Sequence, residues 1–402
     1  MPGAARVHQG PVSDLDPFED GFLADPFAQL AALRAAGPAV YLRRYDCWAV
    51  AGHREVHAVL RDHERFSSAS GVGLADLAAD PYGWRKPSLL LEADPPEHTR
   101  NRAVVVSAMS PRALQSFHDL FDEQAARIID DLVQRERFDA VTDLAEVFPT
   151  VVFPRALGVL GEVGPRMLVY GALSFNAIGP RNQHLLDCLS AAEGLADWVG
   201  AHCRRENLRP GSIGAAVYEA ADAAGMGEPE AAQLVRSLFS AGVDTTVSGL
   251  AFAIANFTRS PGQWELIRAD PSLARNAFEE TIRCESPVIG FFRTTTVEVQ
   301  LGEATIPADS KVMTLFAGAN RDPARWPDPD VFDVRRKTAG HLGYGVGPHV
   351  CAGMALARME GESVIRAMAA RIKRWEPAGP ARPRLNNSLR GLASLPVRVV
   401  PQ

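Results

Sequence analysis

The chain has 402 residues, 47% of them apolar and 22% charged, which is enough apolar material to bury a sizeable core. Its formal charge of −6 gives no reason to expect nucleic acid as a partner. Five cysteines (Cys47, Cys188, Cys203, Cys284, Cys351) form no CxxC and no Cys/His cluster, which excludes a zinc-finger spacing and argues against a secreted disulfide framework.

In chain order, residues 1–16 are polar and Pro-containing and read as a loose arm without an apolar h-region. No apolar run approaches the roughly 18 residues that cross a bilayer, so no signal peptide or membrane anchor is predicted and a cytoplasmic location is expected. A helix is predicted over 26–36, then β-like runs at 39–43 and 48–51. From Arg54 to about Ile282 the pattern is helical. It is punctuated by Asp94-Pro95-Pro96, Ser110-Pro111, Gly179-Pro180, Arg209-Pro210-Gly211 and Ser260-Pro261. Thr- and Val-rich β character returns at 293–301 and 305–315, followed by a Pro- and Asp-rich meander over 320–333. A last long helix is predicted behind Cys351, to about Trp375, and the tail 384–400 mixes turns with short strands. With no repeat and no low-complexity linker, the expectation is one mainly α domain over 1–402 with small peripheral β-sheets (α+β).

Three strings within this pattern carry chemistry. The longest helical run, 228–259, is apolar round most of its circumference, as in a helix crossing a core. Its middle reads Ala241-Gly242-Val243-Asp244-Thr245-Thr246, poor helix interior in which a hydroxyl can bond a carbonyl and open the ladder. Asp244 and Thr245 there form an acid–alcohol pair suited to proton relay. The second string is Glu280-Thr281-Ile282-Arg283, whose end residues share a helix face and can pair, with Arg321 or Arg325 of the meander as a third member. The third is Tyr344-Gly345-Val346-Gly347-Pro348-His349-Val350-Cys351-Ala352-Gly353. Its glycines let backbone approach a bulky flat ligand. Its cysteine opens a helix, where the positive end stabilises a thiolate. A thiolate held against haem iron favours O–O cleavage. An isolated cysteine beside a Gly-rich turn is most often structural; the full string points to haem ligation.

Together these strings resemble the cytochrome P-450 superfamily of haem-thiolate monooxygenases, over essentially the whole chain and in the family's order. Tyr344 departs from the family's usual Phe, and its hydroxyl needs a partner. The resemblance implies haem b between the central helix and the cysteine-bearing helix, dioxygen as co-substrate and Cys351 as axial iron ligand. It implies propionate contacts from His98, Arg102, Arg293 and His349, residue types that hold carboxylates through charge-assisted hydrogen bonds. Asp244 and Thr245 become the catalytic relay, and Glu280 with Arg283 a folding pair.

A narrower resemblance is to bacterial cytochromes that oxidise para-substituted benzoates and O-demethylate 4-methoxybenzoate. Gly71–Leu74, Lys86–Pro96, Phe175–Ala177, Leu234–Leu238, Glu285–Val288, Phe291–Thr296 and Asn386–Leu392 carry it. It implies a small aromatic carboxylic acid substrate, with Arg85, Ser88, Arg236 and Ser237 at the carboxylate-binding positions. Leu91, Phe175, Val288, Phe291 and Leu392 would sandwich the ring, and Ile178 and Ala241 complete the substrate-lining set. Ile178 stands where those relatives carry an aromatic residue, so a wider pocket is expected. Electrons would come from a [2Fe–2S] ferredoxin and an NAD(P)H-dependent reductase, with Arg335, Arg336, Lys337 and Arg358 as a basic docking face. Rival readings are a haem-thiolate sensor without turnover, a peroxide-driven peroxygenase, and a monooxygenase of a neutral terpene, fatty acid or macrolide. The Asp244–Thr245 pair argues against the first two, and Arg85 with Ser88 against the third.

Overall fold

The run predicted as one long helix is two helices in line. The computed structural model describes residues 9–77, 86–161 and 163–402, and in it Glu228–Ala241 and Asp244–Arg259 meet at Gly242 and Val243. Two features of the sequence open the ladder there. Thr245 Oγ1 donates to the Ala241 carbonyl at 2.9 Å, diverting it from the helix. Gly242 leaves room for the Phe153 ring, whose Cζ would lie 2.1 Å from any Cβ at that position. By length and composition Glu228–Arg259 is apolar enough to cross a membrane, yet 72% of its most apolar window is buried inside the protein. It is the axis of the core. Ala274–Glu285, Met354–Ala369 and the wide helical turn Val141–Ala145 pack directly on its second half. Phe121, Phe148, Phe239, Phe257 and Trp264 fill the spaces between these helices as one apolar cluster.

A six-stranded mixed sheet lies to one side, in the spatial order Val12–Ser13, Val40–Leu42, Cys47–Val50, Lys311–Leu315, Gly290–Thr295, Phe66–Ser67. Of the expected loose arm over 1–16, residues 9–13 are therefore tied down: Val12 pairs with Tyr41 and Gln9 bridges Thr305. Such an edge strand is held by backbone bonds, which leave no apolar alternation in the sequence to find. The helix behind Cys351 also stops at Ala369, short of Trp375. Ile372–Pro377 instead pairs antiparallel with Pro396–Pro401, and Trp375 meets Trp264 edge-on at 6.0 Å. Tertiary pairing here overrides a continuing helical pattern.

Glu280 and Arg283 form a fully buried pair, Nε–Oε2 2.7 Å and Nη2–Oε1 2.8 Å. The third member is Arg336, whose Nε donates to Glu280 Oε1 at 2.9 Å. Neither expected candidate takes that place. Arg321 donates to the Cys284 carbonyl at 2.7 Å and covers the Phe27 ring, and Arg325 donates to Ala339 O at 2.8 Å. The meander has to turn back on itself before an arginine reaches Glu280, and the Asp333 N–H arrives there with it at 3.1 Å. Arg283 spends its remaining N–H groups on the Asn320 and Pro329 carbonyls, both at 2.8 Å. Removing one member of a buried ion pair strands the other charge, at a cost of about 3–5 kcal/mol. Arg283→Met should lower the urea unfolding free energy of the holoprotein by that amount, with a lower midpoint at unchanged m; an unchanged midpoint would contradict the clamp.

Candidate active site

The loop into Cys351 is shaped by its glycines. Gly345 and Gly347 have φ of 69° and 79°, where a side chain is strained. A Cβ on Gly347 would also meet the Leu60 carbonyl at 2.7 Å. The Cys351 N–H donates to the Tyr344 carbonyl at 2.8 Å, closing the loop just before the helix Met354–Ala369. The thiol opens onto a large internal cavity. Burial pushes it above its ordinary range, while the Gly353 N–H, Arg102 and Arg358 pull the other way. Ala241, Gly242, Thr245 and Thr246, at the break in the central helix, line the same cavity.

One rim of the cavity is crowded with groups that want an anion. Arg102, Arg293 and His349 line it, and the His98 ring lies against that of His349, tilted by 43° with centroids 4.1 Å apart. Arg293 is buried and donates to its neighbouring carbonyl, Phe292 O, at 2.8 Å. Burial pulls its guanidinium down to about 10. Both ring nitrogens of His98 and Nε2 of His349 are buried without a hydrogen-bond partner. Burial, then Arg102, lowers His98 to about 4; burial, then Arg293, lowers His349 to about 3. The nearby carboxylate of Asp94 is already taken by Ser67 Oγ at 2.5 Å and the Ser68 N–H at 2.9 Å. Buried donors in this state fit a ligand that brings its own carboxylates. A carboxylate-bearing cofactor would fit this rim, and Cys351 would be available to ligate a metal that it carried.

The cytochrome P450 family model matches residues 268–371. Over 400 residues, 99% of this chain and 96% of the relative, the sequence is 46% identical to cytochrome P450 CYP199A2 of Rhodopseudomonas palustris. The chain belongs to the cytochrome P450 family. It is 31% identical to the beta-dihydromenaquinone-9 omega-hydroxylase of Mycobacterium tuberculosis, over 97% of this chain and 79% of that one. The epothilone D-bound cytochrome P450epoK superposes with a TM-score of 0.85 at 30% identity, covering 97% of this chain and all of the other. As a P450 the protein is a monooxygenase, an oxidoreductase that uses haem b and dioxygen, and the cavity at Cys351 fits that group. Bacterial P450s typically draw electrons from redox partners.

The structure brings most of the expected substrate residues to this P450's cavity. Leu91, Phe175, Ile178, Ala241, Val288 and Phe291 line it, as do Ser88, Arg236 and Ser237. The Ser88 and Ser237 hydroxyls are 2.9 Å apart. Ser237 donates its proton to Gln233 O at 3.0 Å, so Ser88 is the donor between them. Arg236 stands at the edge and ties down the neighbouring segment, donating to the Lys86 carbonyl at 2.9 Å. Arg85 lies outside the described residues. Leu392 is a correction: it is not among the lining residues, because its strand Gly391–Ser394 packs on the central helix, where a Cβ at Gly391 would come 2.9 Å from Ser248 Oγ. Two of the four proposed docking cations are also committed inside, Arg336 to Glu280 and Arg358 to Glu279 through bonds of 2.8 and 2.6 Å. Arg335 and Lys337 remain exposed.

Asp244 and Thr245 are separated by the turn they share. Thr245 faces the cavity, whereas Asp244 is buried behind it, with Oδ1 unpartnered. A second acid–alcohol pair was not foreseen: Thr246 Oγ1 donates to Glu360 Oε2 at 2.9 Å, and Glu360 lines the cavity. Burial pushes the Glu360 carboxyl up to about 8, with the Thr246 bond opposing, which favours its protonated form. The signal was present in the spacing. Gly353, Leu356, Ala357 and Glu360 form one helical stripe, and all four line the cavity. If Arg293 holds a cofactor carboxylate, Arg293→Gln should lose one charge-assisted bond of ~1.5–3 kcal/mol. Haem transfer to apomyoglobin should then accelerate about tenfold or more; an unchanged rate would remove Arg293 from cofactor binding.

Proposed function

We propose that this P450 oxidises a small aromatic carboxylate, O-demethylating or hydroxylating a para-substituted benzoate such as 4-methoxybenzoate. The observation that carries this is the Ser88–Ser237 hydroxyl pair, with Ser88 as its donor, in a mainly apolar wall. The likeness of the substrate-lining segments to the benzoate-oxidising subgroup supports it. The Ser88 hydroxyl can turn from Ser237 to the substrate carboxylate, and hydroxyl donors suit an anion withdrawn from water. Phe175, Val288 and Phe291 then enclose the ring, with the para position directed away from the hydroxyls. Such a fit selects para over meta by position. Ile178, aliphatic in this wall, leaves room for additional ring substituents.

Haem, when bound at Cys351, supplies the activation of dioxygen. The chain supplies the protons. Burial pushes the Asp244 carboxyl up to about 7, with Arg384 pulling it down and Glu146 raising it. A general acid near the working pH can both hold and release its proton. Thr245, whose own hydroxyl proton is engaged by Ala241 O, presents its oxygen to the cavity as the next carrier. Electrons arrive from a [2Fe–2S] ferredoxin served by an NAD(P)H-dependent reductase, with Arg335 and Lys337 available to an acidic partner.

Titrating the ferric holoenzyme should give a low- to high-spin shift with 4-methoxybenzoate and little with its methyl ester or meta isomer. A shift with neutral terpenes or fatty acids and none with any benzoate would overturn the assignment. Ser88→Ala combined with Ser237→Ala should weaken the acid by about tenfold or more, the size expected for lost bonds to a charge. Thr245→Ala should bind substrate normally but divert reducing equivalents to hydrogen peroxide; unchanged coupling of NADH to product would remove Thr245 from the relay.

A further inference from the structure

Ser174 puts a hydroxyl into the apolar side of the cavity. It stands on the helix Gly164–Asn176 between Tyr170 and Ile178, one turn from each, and all three line the cavity with Phe175. Its Oγ donates to the Tyr170 carbonyl at 2.8 Å, within its own helix. Among the described residues that oxygen takes part in no other hydrogen bond. Folding has little use for it. Serine is a poorer helix former than alanine, and a bond to the carbonyl one turn back adds no tertiary contact. With its proton spent, Ser174 presents lone pairs to the cavity, and so suits a ligand group that carries a hydrogen.

Its place along the cavity limits what it can reach. Gly171, one turn earlier on the same helix, abuts the central helix at Asp244, where a Cβ would come 2.4 Å from Oδ2. Ser237, which holds Ser88, lies two turns before Asp244, roughly 10 Å along the axis. Ser174 therefore serves the end of the cavity near Thr245, away from the hydroxyls assigned to the carboxylate. Ser240 also lines the cavity with its proton given away, to Ser237 O at 3.1 Å, but it stands one turn from Ser237, nearer the carboxylate end.

We propose that Ser174 determines specificity by accepting a hydrogen bond from a hydroxyl on the ring carbon next to the para position. The site then prefers a 3-hydroxy-4-alkoxybenzoate to an acid lacking that hydroxyl. This rests on the reading of the site as one for aromatic carboxylates. The Ser174 oxygen accepts without giving up its own bond to Tyr170 O, so no protein group is left unpaired. A methoxy group at the same ring carbon brings only lone pairs to meet lone pairs, and loses its water without replacing it.

Spin-state titration of the ferric holoenzyme reads this as a ratio of dissociation constants. 3-Hydroxy-4-methoxybenzoate should bind the parent protein about two- to tenfold more tightly than 4-methoxybenzoate, the range of one net hydrogen bond. 3,4-Dimethoxybenzoate should show no such gain. In Ser174→Ala, and in Ser174→Val, which keeps bulk at that position, the ratio should fall towards one. Each ratio compares two acids in the same protein, so a general loosening of the fold cancels from it. A ratio that persists in both variants, or a parent protein that treats the 3-hydroxy and 3-methoxy acids alike, would overturn the proposal and leave the aromatic-acid reading standing. No spin-state shift with any of the three acids would overturn that reading and this inference with it.

Discussion

A carboxylate with no exposure cannot stand alone, and Glu280 is such a group. Two arginines neutralise it, and through them the helix Ala274–Glu285 grips the meander at Asn320, Pro329 and Asp333. Asn320 then passes the constraint onward, accepting from the Leu342 N–H at 2.6 Å at the head of the cysteine loop. Its neighbour Glu279 binds both sides of that loop, His341 at 3.2 Å and Arg358 on the cysteine helix. Burial would raise the Glu279 carboxyl, but Arg358 and His341 outweigh it and hold it at about 2. Adjacent glutamates on one helix thus fix the position from which Cys351 addresses the cavity.

The cavity wall divides its chemistry by side. The proximal loop brings the thiol, one rim brings the guanidinium groups of Arg102 and Arg293 with unpartnered imidazole nitrogens beside them, and the opened central helix brings Thr245 and Thr246. Buried polar groups without partners are costly in a folded chain, so a concentration of them marks where a ligand completes the structure. The two carboxyls near the helix break show the complementary strategy. Burial raises the carboxyls of both Asp244 and Glu360, so each can hold a proton close to the cavity near neutral pH.

Much of this was legible in the sequence wherever a local residue preference forced the structure. Gly345 and Gly347 adopt left-handed backbone that few other residues accept, and Gly242 with Thr245 breaks a helix that the surrounding apolar pattern would continue. Placement that depends on the chain's return path was not legible. Arg336 rather than Arg321 or Arg325 closes the Glu280 network because the meander doubles back, which no periodicity records. Leu392 left the substrate wall because its strand register turned it to the core, and Ile372–Pro377 became a strand because a partner strand was available. Glu360 was readable from helical spacing, but an acid on a cysteine-bearing helix reads as surface until the cavity is seen.

The clamp on Glu279 and Glu280 places Cys351 where its thiolate would meet haem iron in this cavity. The most direct measurement is the absorption spectrum of the reduced protein under carbon monoxide, for the parent chain and for Cys351→His. The parent should show the red-shifted Soret band of a thiolate-ligated adduct, and the variant the band of an imidazole-ligated one. An imidazole-type band in the parent, or identical spectra for both proteins, would contradict the account.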